Sequence, residues 1–153
     1  GTGGHLIAGL SIAKAFKKKR KQVQVFFLGS DYRHSYRLIH SEGFELNRIY
    51  AVGFADRTIW GLIQFLFGQV ISIVQSGLLI MLIRPEIVIG TGGFASVGSV
   101  LWAKLFGIPV LIHEQNVIPG KANRMLGCLA DKILLSFDGA MKYFNGSKCS
   151  ITG

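Results

Sequence analysis

Residues 86–106 read EIVIGTGGFASVGSVLWAKLF, and this stretch decides the architecture. Residues 86–89 are a short apolar run rich in β-branched side chains, the composition of a buried parallel strand. Thr91 to Gly93 make a glycine turn, and from Ser96 to Phe106 apolar residues recur at helical spacing. A strand, a glycine turn and a helix in that order bring backbone N–H groups and the positive end of a helix dipole to one point, which suits an anion such as a phosphate. Glycine is required there because a Cβ would hold a ligand off the backbone or forbid positive φ.

The same four letters, GTGG, open the chain at Gly1 to Gly4 and lead into a helical pattern over 6–18, directly after His5. No strand sequence stands before this copy. Neither copy fits GxGxxG or GxxxxGK[ST], so ordinary dinucleotide or P-loop binding is not indicated. A single copy reads most simply as a tight strand-to-helix turn without a ligand; two identical copies, one followed by a histidine, point to phosphate chemistry.

Outward from these turns, strands and helices alternate. Strands are predicted at 22–28, 45–50, 86–89, 109–113, 132–136 and 148–152. Helices are predicted at 34–42, 59–83, 96–106, 119–129 and 139–144, with Pro119 suited to a first helical turn. This alternation predicts a doubly wound, mostly parallel sheet with helices on both faces. The turn at Gly1 to Gly4 calls for a preceding strand in the middle of that sheet. Without it, strands 22–28 and 86–89 lack a shared partner.

The 153 residues are enough for one domain with a core, and half of them are hydrophobic. The net charge is +9, and Lys14, Lys17, Lys18, Lys19, Arg20 and Lys21 concentrate it at the end of the first helix. Part of that run complements the helix dipole. The excess predicts an anionic lipid surface as partner; nucleic acid is not expected, because no aromatic-interleaved basic motif accompanies it. Cys128 and Cys149 have no metal-ligand spacing and fit reduced thiols.

Residues 59–83, IWGLIQFLFGQVISIVQSGLLIMLI, carry no charge and lie between Arg57 and Arg84. The length matches a bilayer span of ~20 residues. However, Gln64, Gly68, Ser72, Gln75 and Ser76 form a weakly polar stripe, and Gly61, Gly68 and Gly77 invite a break. The strands on either side are expected in one sheet, which a spanning helix would pull apart. The favoured reading is a helical pair lying on the sheet with apolar surface turned to the membrane; a true span is the alternative.

The strand at 109–113 runs into His113, Glu114, Gln115 and Asn116, then VIPGKANRML. Ligands in such sheets sit beyond the strand carboxyl ends, so both GTGG turns, His5, Glu114 and Asn116 are expected to share one cleft.

GTGGH, PEIVIGTGGF and IPVLIHEQNVIPGKANRML, in that order and spacing, resemble the N-terminal half of the MurG-type peptidoglycan N-acetylglucosaminyltransferases, over essentially the whole chain. The resemblance implies an α/β, Rossmann-like half of a GT-B glycosyltransferase. It implies an inverting transfer of N-acetylglucosamine from UDP-N-acetylglucosamine to undecaprenyl-diphospho-muramoylpentapeptide, peripherally at the cytoplasmic face of the bacterial membrane. It places Thr2, Gly3, Gly4 and Asn116 against the donor, and Gly90, Thr91, Gly92, Gly93 and Phe94 against the acceptor diphosphate. It makes His5 the candidate base, with Glu114 as rival or partner. No cofactor is implied; with no Asp-x-Asp pair, the leaving group is expected to be stabilised by backbone dipoles and side chains rather than by a bound metal. Ala8 stands where the family usually has proline and Phe94 where it usually has tyrosine. Residues 1–153 are expected to be the acceptor-binding domain, truncated at both ends, without the donor-binding domain and inactive alone. The alternative is a membrane-binding acceptor module that works with a separate donor-binding subunit.

Overall fold

The computed structural model describes residues 3–29, 33–50 and 58–152. Five α-helices and six strands alternate along it: α1 (Gly3–Lys19), β1 (Phe26–Gly29), α2 (Arg33–Ser41), β2 (Glu45–Arg48), α3 (Ile59–Ile83), β3 (Val88–Gly90), α4 (Ala95–Leu105), β4 (Val110–Glu114), α5 (Lys121–Leu126), β5 (Lys132–Leu135) and β6 (Cys149–Ile151). The segment expected to be helical at 139–144 is a 3₁₀ turn, Asp138–Tyr143, and a second such turn, Gly146–Lys148, leads into β6.

Every pairing is parallel, as expected, and among the described residues the strands form two sheets. One is β1–β2; the other has the order β3–β4–β5–β6. Register puts Gly90 beside Ile112 and Glu114 beside Leu135. The break falls between β1 and β3, the two strands the sequence leaves without a shared partner. Helix α1 reaches both sides of it: a Cβ on Gly9 would lie 3.2 Å from the Phe27 ring and 3.8 Å from the Thr91 methyl.

The larger sheet holds the main core, where Val100, Ala103, Val110, Ile112, Ile133, Leu135 and Ala140 are fully buried. Leu10, Ala13, Ile39 and Phe44 form a smaller cluster under α1 and α2. Strand β1 starts at Phe26, later than expected, because the chain turns back from α1 first, with Val23 N–H donating to Arg20 O. Helix α5 is only six residues long. Pro119 precedes its cap, Gly120, and the tight return of Leu129 and Ala130 N–H to Leu126 O ends it before β5.

The expected helical pair at 59–83 is one continuous helix of 25 residues, about 37 Å long at 1.5 Å per residue. Thr58 caps its start by accepting from Gly61 N–H, and Arg84 ends it in the left-handed region at φ 50°. Its glycines do not break it, and Gly77 serves the seam with α4. Gly68 and Gly77 are buried, and a Cβ on Gly77 would stand 2.5 Å from the Trp102 ring. Gly98 of α4 is crowded likewise, with Ser76 Oγ 2.7 Å from a Cβ placed there. Trp102 Nε1 donates to Ile73 O at 2.8 Å and fastens the seam. The weakly polar stripe thus faces the protein through Gly68, Ser72 and Ser76, while Ile63, Phe67, Val70, Val74, Leu78 and Leu82 line the exposed side at helical spacing. A surface helix ordinarily presents the reverse pattern.

Candidate functional site

Strands β3 and β4 are parallel neighbours, so Gly90 and Glu114 end at the same sheet edge. Gly90 itself is buried in β3, where a Cβ would strike Ile112 Cδ1 at 2.8 Å. The turn that follows holds Gly92 at φ 120° and Gly93 at φ 76°, conformations that L side chains rarely adopt. Ser96 Oγ donates to Gly93 O at 2.7 Å and steadies the turn. No side chain caps the start of α4. Phe94 meets Phe65 of α3 edge-on, with centroids 5.0 Å apart, so the turn is joined to the apolar helix.

The described glycines of the first GTGG copy are placed differently. Thr2 lies outside the described residues; Gly3 and Gly4 are already helical, exposed, and have nothing within 4 Å of a Cβ placed on either. The two copies nevertheless meet. His5 lies on Gly92 so closely that a Cβ there would be 2.6 Å from His5 Cε1. Positive φ and this contact are two independent reasons for glycine at that position.

The β4 loop divides its polar residues between support and cleft. Glu114 is fully buried, and its carboxylate accepts four hydrogen bonds. Oε1 takes Asn116 N–H and Asn116 Nδ2, each at 2.9 Å. Oε2 takes Gly120 N–H at 3.2 Å and Asn123 Nδ2 at 2.9 Å. Asn116 is exposed beyond it. Gln115 turns the other way and links the segments: its Oε1 lies 2.9 Å from His5 Nδ1, and its Nε2 donates to Thr91 O at 3.0 Å. The same Nε2 lies 3.0 Å from His113 Nδ1 and 3.1 Å from His113 O. Burial holds the His113 imidazole below its ordinary value, against the opposing pull of the Glu114 carboxylate. A neutral ring accepting at Nδ1 fits that direction.

His5, Thr91 to Phe94 and the β4 loop are therefore brought together as expected. Sequence reasoning missed Gln115 and Asn123. The signal for Gln115 was its place inside His-Glu-Gln-Asn; for Asn123 it was a polar residue sharing the buried side of a short helix with Ala122 and Leu126, where it also donates to His113 O at 3.1 Å.

A parallel α/β sheet with a glycine turn, a helix-borne histidine and a polar loop at the strand carboxyl ends has the site geometry of a Rossmann-like α/β domain. The chain matches the glycosyltransferase family 28 N-terminal domain over residues 1–135, and it belongs to that family. It is 38% identical over 157 residues to a UDP-N-acetylglucosamine–N-acetylmuramyl-(pentapeptide) pyrophosphoryl-undecaprenol N-acetylglucosamine transferase of Geobacter sulfurreducens, covering 100% of this chain and 42% of that protein. The protein of the same description from Bacteroides fragilis is 33% identical, over 100% of this chain and 40% of its own. The crystal structure of Acinetobacter baumannii MurG superposes with a TM-score of 0.76 at 26% identity, covering 99% of this chain and 42% of that one. The chain thus spans about two fifths of the length of the curated relatives it matches.

Proposed function

We propose that this chain is the acceptor-side half of an enzyme that transfers N-acetylglucosamine from UDP-N-acetylglucosamine to a lipid-linked, diphosphate-activated muramoylpentapeptide. The observation that carries the reading is the convergence of His5, the Gly92 turn and Gln115 at one sheet edge, from three segments far apart in sequence. His5 takes the proton of the acceptor hydroxyl as its oxygen attacks C1 of the sugar; the C1–O bond to UDP breaks, UDP leaves with the electron pair, and the configuration inverts. Glu114 has no lone pair free for that proton, being buried with four donors around it, so its part is to shape the loop that presents Asn116. The turn at Thr91 to Gly93, with Phe94 and the uncapped start of α4, suits the acceptor diphosphate. Gly90 sets the close approach of β3 to Ile112 beneath that turn. Thr2, Gly3, Gly4 and Asn116 are assigned to the donor.

We further assign the chain to the cytoplasmic membrane face as a peripheral protein. Helix α3 is long and apolar enough to cross a bilayer by length and composition. Its small-residue face is used against α4, however, which leaves the opposite apolar face to lie on lipid. In a protein that carries both halves, His5→Ala is expected to lower kcat by ~10²–10⁴-fold, the usual range for loss of a general base. An unchanged kcat with UDP-N-acetylglucosamine and the lipid acceptor refutes the assignment of His5.

A further inference from the structure

We propose that Gln115 is a positioning residue that fixes which nitrogen of His5 carries the proton. The inference rests on the reading of His5 as the base, but its geometry stands independently. Thr91 O and His113 O are carbonyl oxygens, which only accept hydrogen bonds. Both lie within reach of one end of the Gln115 amide, at 3.0 and 3.1 Å, so that end must be the NH₂ group. The reversed amide would set its oxygen against two carbonyl oxygens. The carbonyl end therefore faces His5 Nδ1 at 2.9 Å. An amide oxygen accepts, so His5 Nδ1 must donate, and Nδ1 carries the hydrogen.

The consequence for chemistry is direct. A neutral imidazole has one N–H; with it placed on Nδ1, the lone pair is on Nε2. Nε2 is engaged by none of the described residues, and it is the nitrogen left to accept a proton. Once protonated, His5 still donates through Nδ1 to the same oxygen, so the clamp serves the ring before and after proton uptake. The free imidazole side chain has no such constraint. Gln115 also orders the second histidine: an amide NH₂ cannot accept a hydrogen bond, so His113 Nδ1, 3.0 Å from it, carries no hydrogen and that ring's hydrogen is on Nε2. One amide thus assigns opposite tautomers to two histidines. It also ties the start of α1, the Gly92 turn and the end of β4 into a single rigid unit.

The test is nitrogen NMR on the chain with ¹⁵N-labelled histidine, at about pH 8, well above the ordinary histidine value of ~6.5. The His5 signals are identified by their loss in His5→Asn. The expected result is a pyrrole-type Nδ1 and a pyridine-type Nε2 for His5, with the opposite pattern for His113. A His5 that carries its hydrogen on Nε2, or that averages between tautomers, overturns the proposal without any variant being needed. Gln115→Leu, which keeps the volume and removes both polar ends, is expected to return His5 to the averaged pattern of a free side chain; retention of the Nδ1–H form overturns the proposal. In a protein with both halves, the same variant is expected to lower kcat by ~10-fold or more with little change in acceptor KM, as for an interaction that matters in the transition state. If the tautomer is as expected but His5→Ala keeps full turnover, the function assigned to His5 fails and the clamp stands. If His5→Ala abolishes turnover and the tautomer is wrong, the clamp alone fails.

Discussion

Replacing Glu114 by glutamine separates a supporting carboxylate from a catalytic one, and the structure sets the size of the effect. All four groups around the side chain are donors: Asn116 N–H and Nδ2 on one oxygen, Gly120 N–H and Asn123 Nδ2 on the other. A carboxylate satisfies all four. An amide satisfies two and turns its own N–H groups toward the other two, whichever way it is oriented. Hydrogen bonds to a charged acceptor contribute about 1.5–3 kcal/mol each, so two lost bonds remove roughly 3–6 kcal/mol. Relief from burying a charge offsets part of this, because a buried ion costs several kcal/mol of desolvation. The net expectation is a loss of about 2–4 kcal/mol, a large share of a typical stability of ~5–15 kcal/mol. Urea unfolding followed by far-ultraviolet circular dichroism measures it, with a lower midpoint and an unchanged slope expected. In a protein that carries both halves, residual activity of Glu114→Gln should track the folded fraction. A variant within about 0.5 kcal/mol of the parent, folded yet inactive, refutes this reasoning and makes Glu114 the base.

Two further outcomes follow from the apolar helix and from His113. Binding to vesicles of anionic lipid should fall as salt rises, since each basic residue near such a surface contributes ~1 kcal/mol that salt screens, and Phe67→Asp together with Leu78→Asp should abolish it; Lys14 adds least, being paired with Glu42 at 2.7 Å. Co-sedimentation measures this, and salt-insensitive binding reversed only by detergent contradicts a peripheral helix. The His113 imidazole is held low by burial, so below about pH 6.5 the unfolded chain takes up a proton that the folded chain does not. Stability then falls with decreasing pH, by at most ~1.4 kcal/mol per pH unit for one group, until the folded-state value is passed. His113→Gln should flatten the urea midpoint between pH 7 and the onset of carboxylate titration; an identical slope in the variant rules out His113 as its source.

The order of strands and helices was legible because each reports its own period. The buried strands read as β-branched runs, and the helices as apolar residues three and four apart. Residues 86–106 alone declared a parallel α/β fold, and the single pattern GTGG at two places flagged the cleft edge. What sequence could not supply was the partner of each element. Whether the glycines of 59–83 break a helix or seat one depends on the Trp102 ring, which lies 25 residues away from Gly77 and touches it only after α3 and α4 pack. The division into two sheets falls where the sequence leaves strands 22–28 and 86–89 without a shared partner. The two GTGG copies are identical as letters, yet Gly3 and Gly4 of the first are helical and exposed while the second is a positive-φ turn beneath His5. Chemistry in the site is divided the same way. Residue types placed Glu114 among the candidate acids and bases, because a carboxylate beside a cleft has that capacity. Its burial among four donors is a property of the fold, as is the meeting of Gln115 with His5 across 110 positions of chain. Local propensity is encoded by neighbours a few residues apart, whereas the partner of a buried polar atom is set only when distant segments close around it.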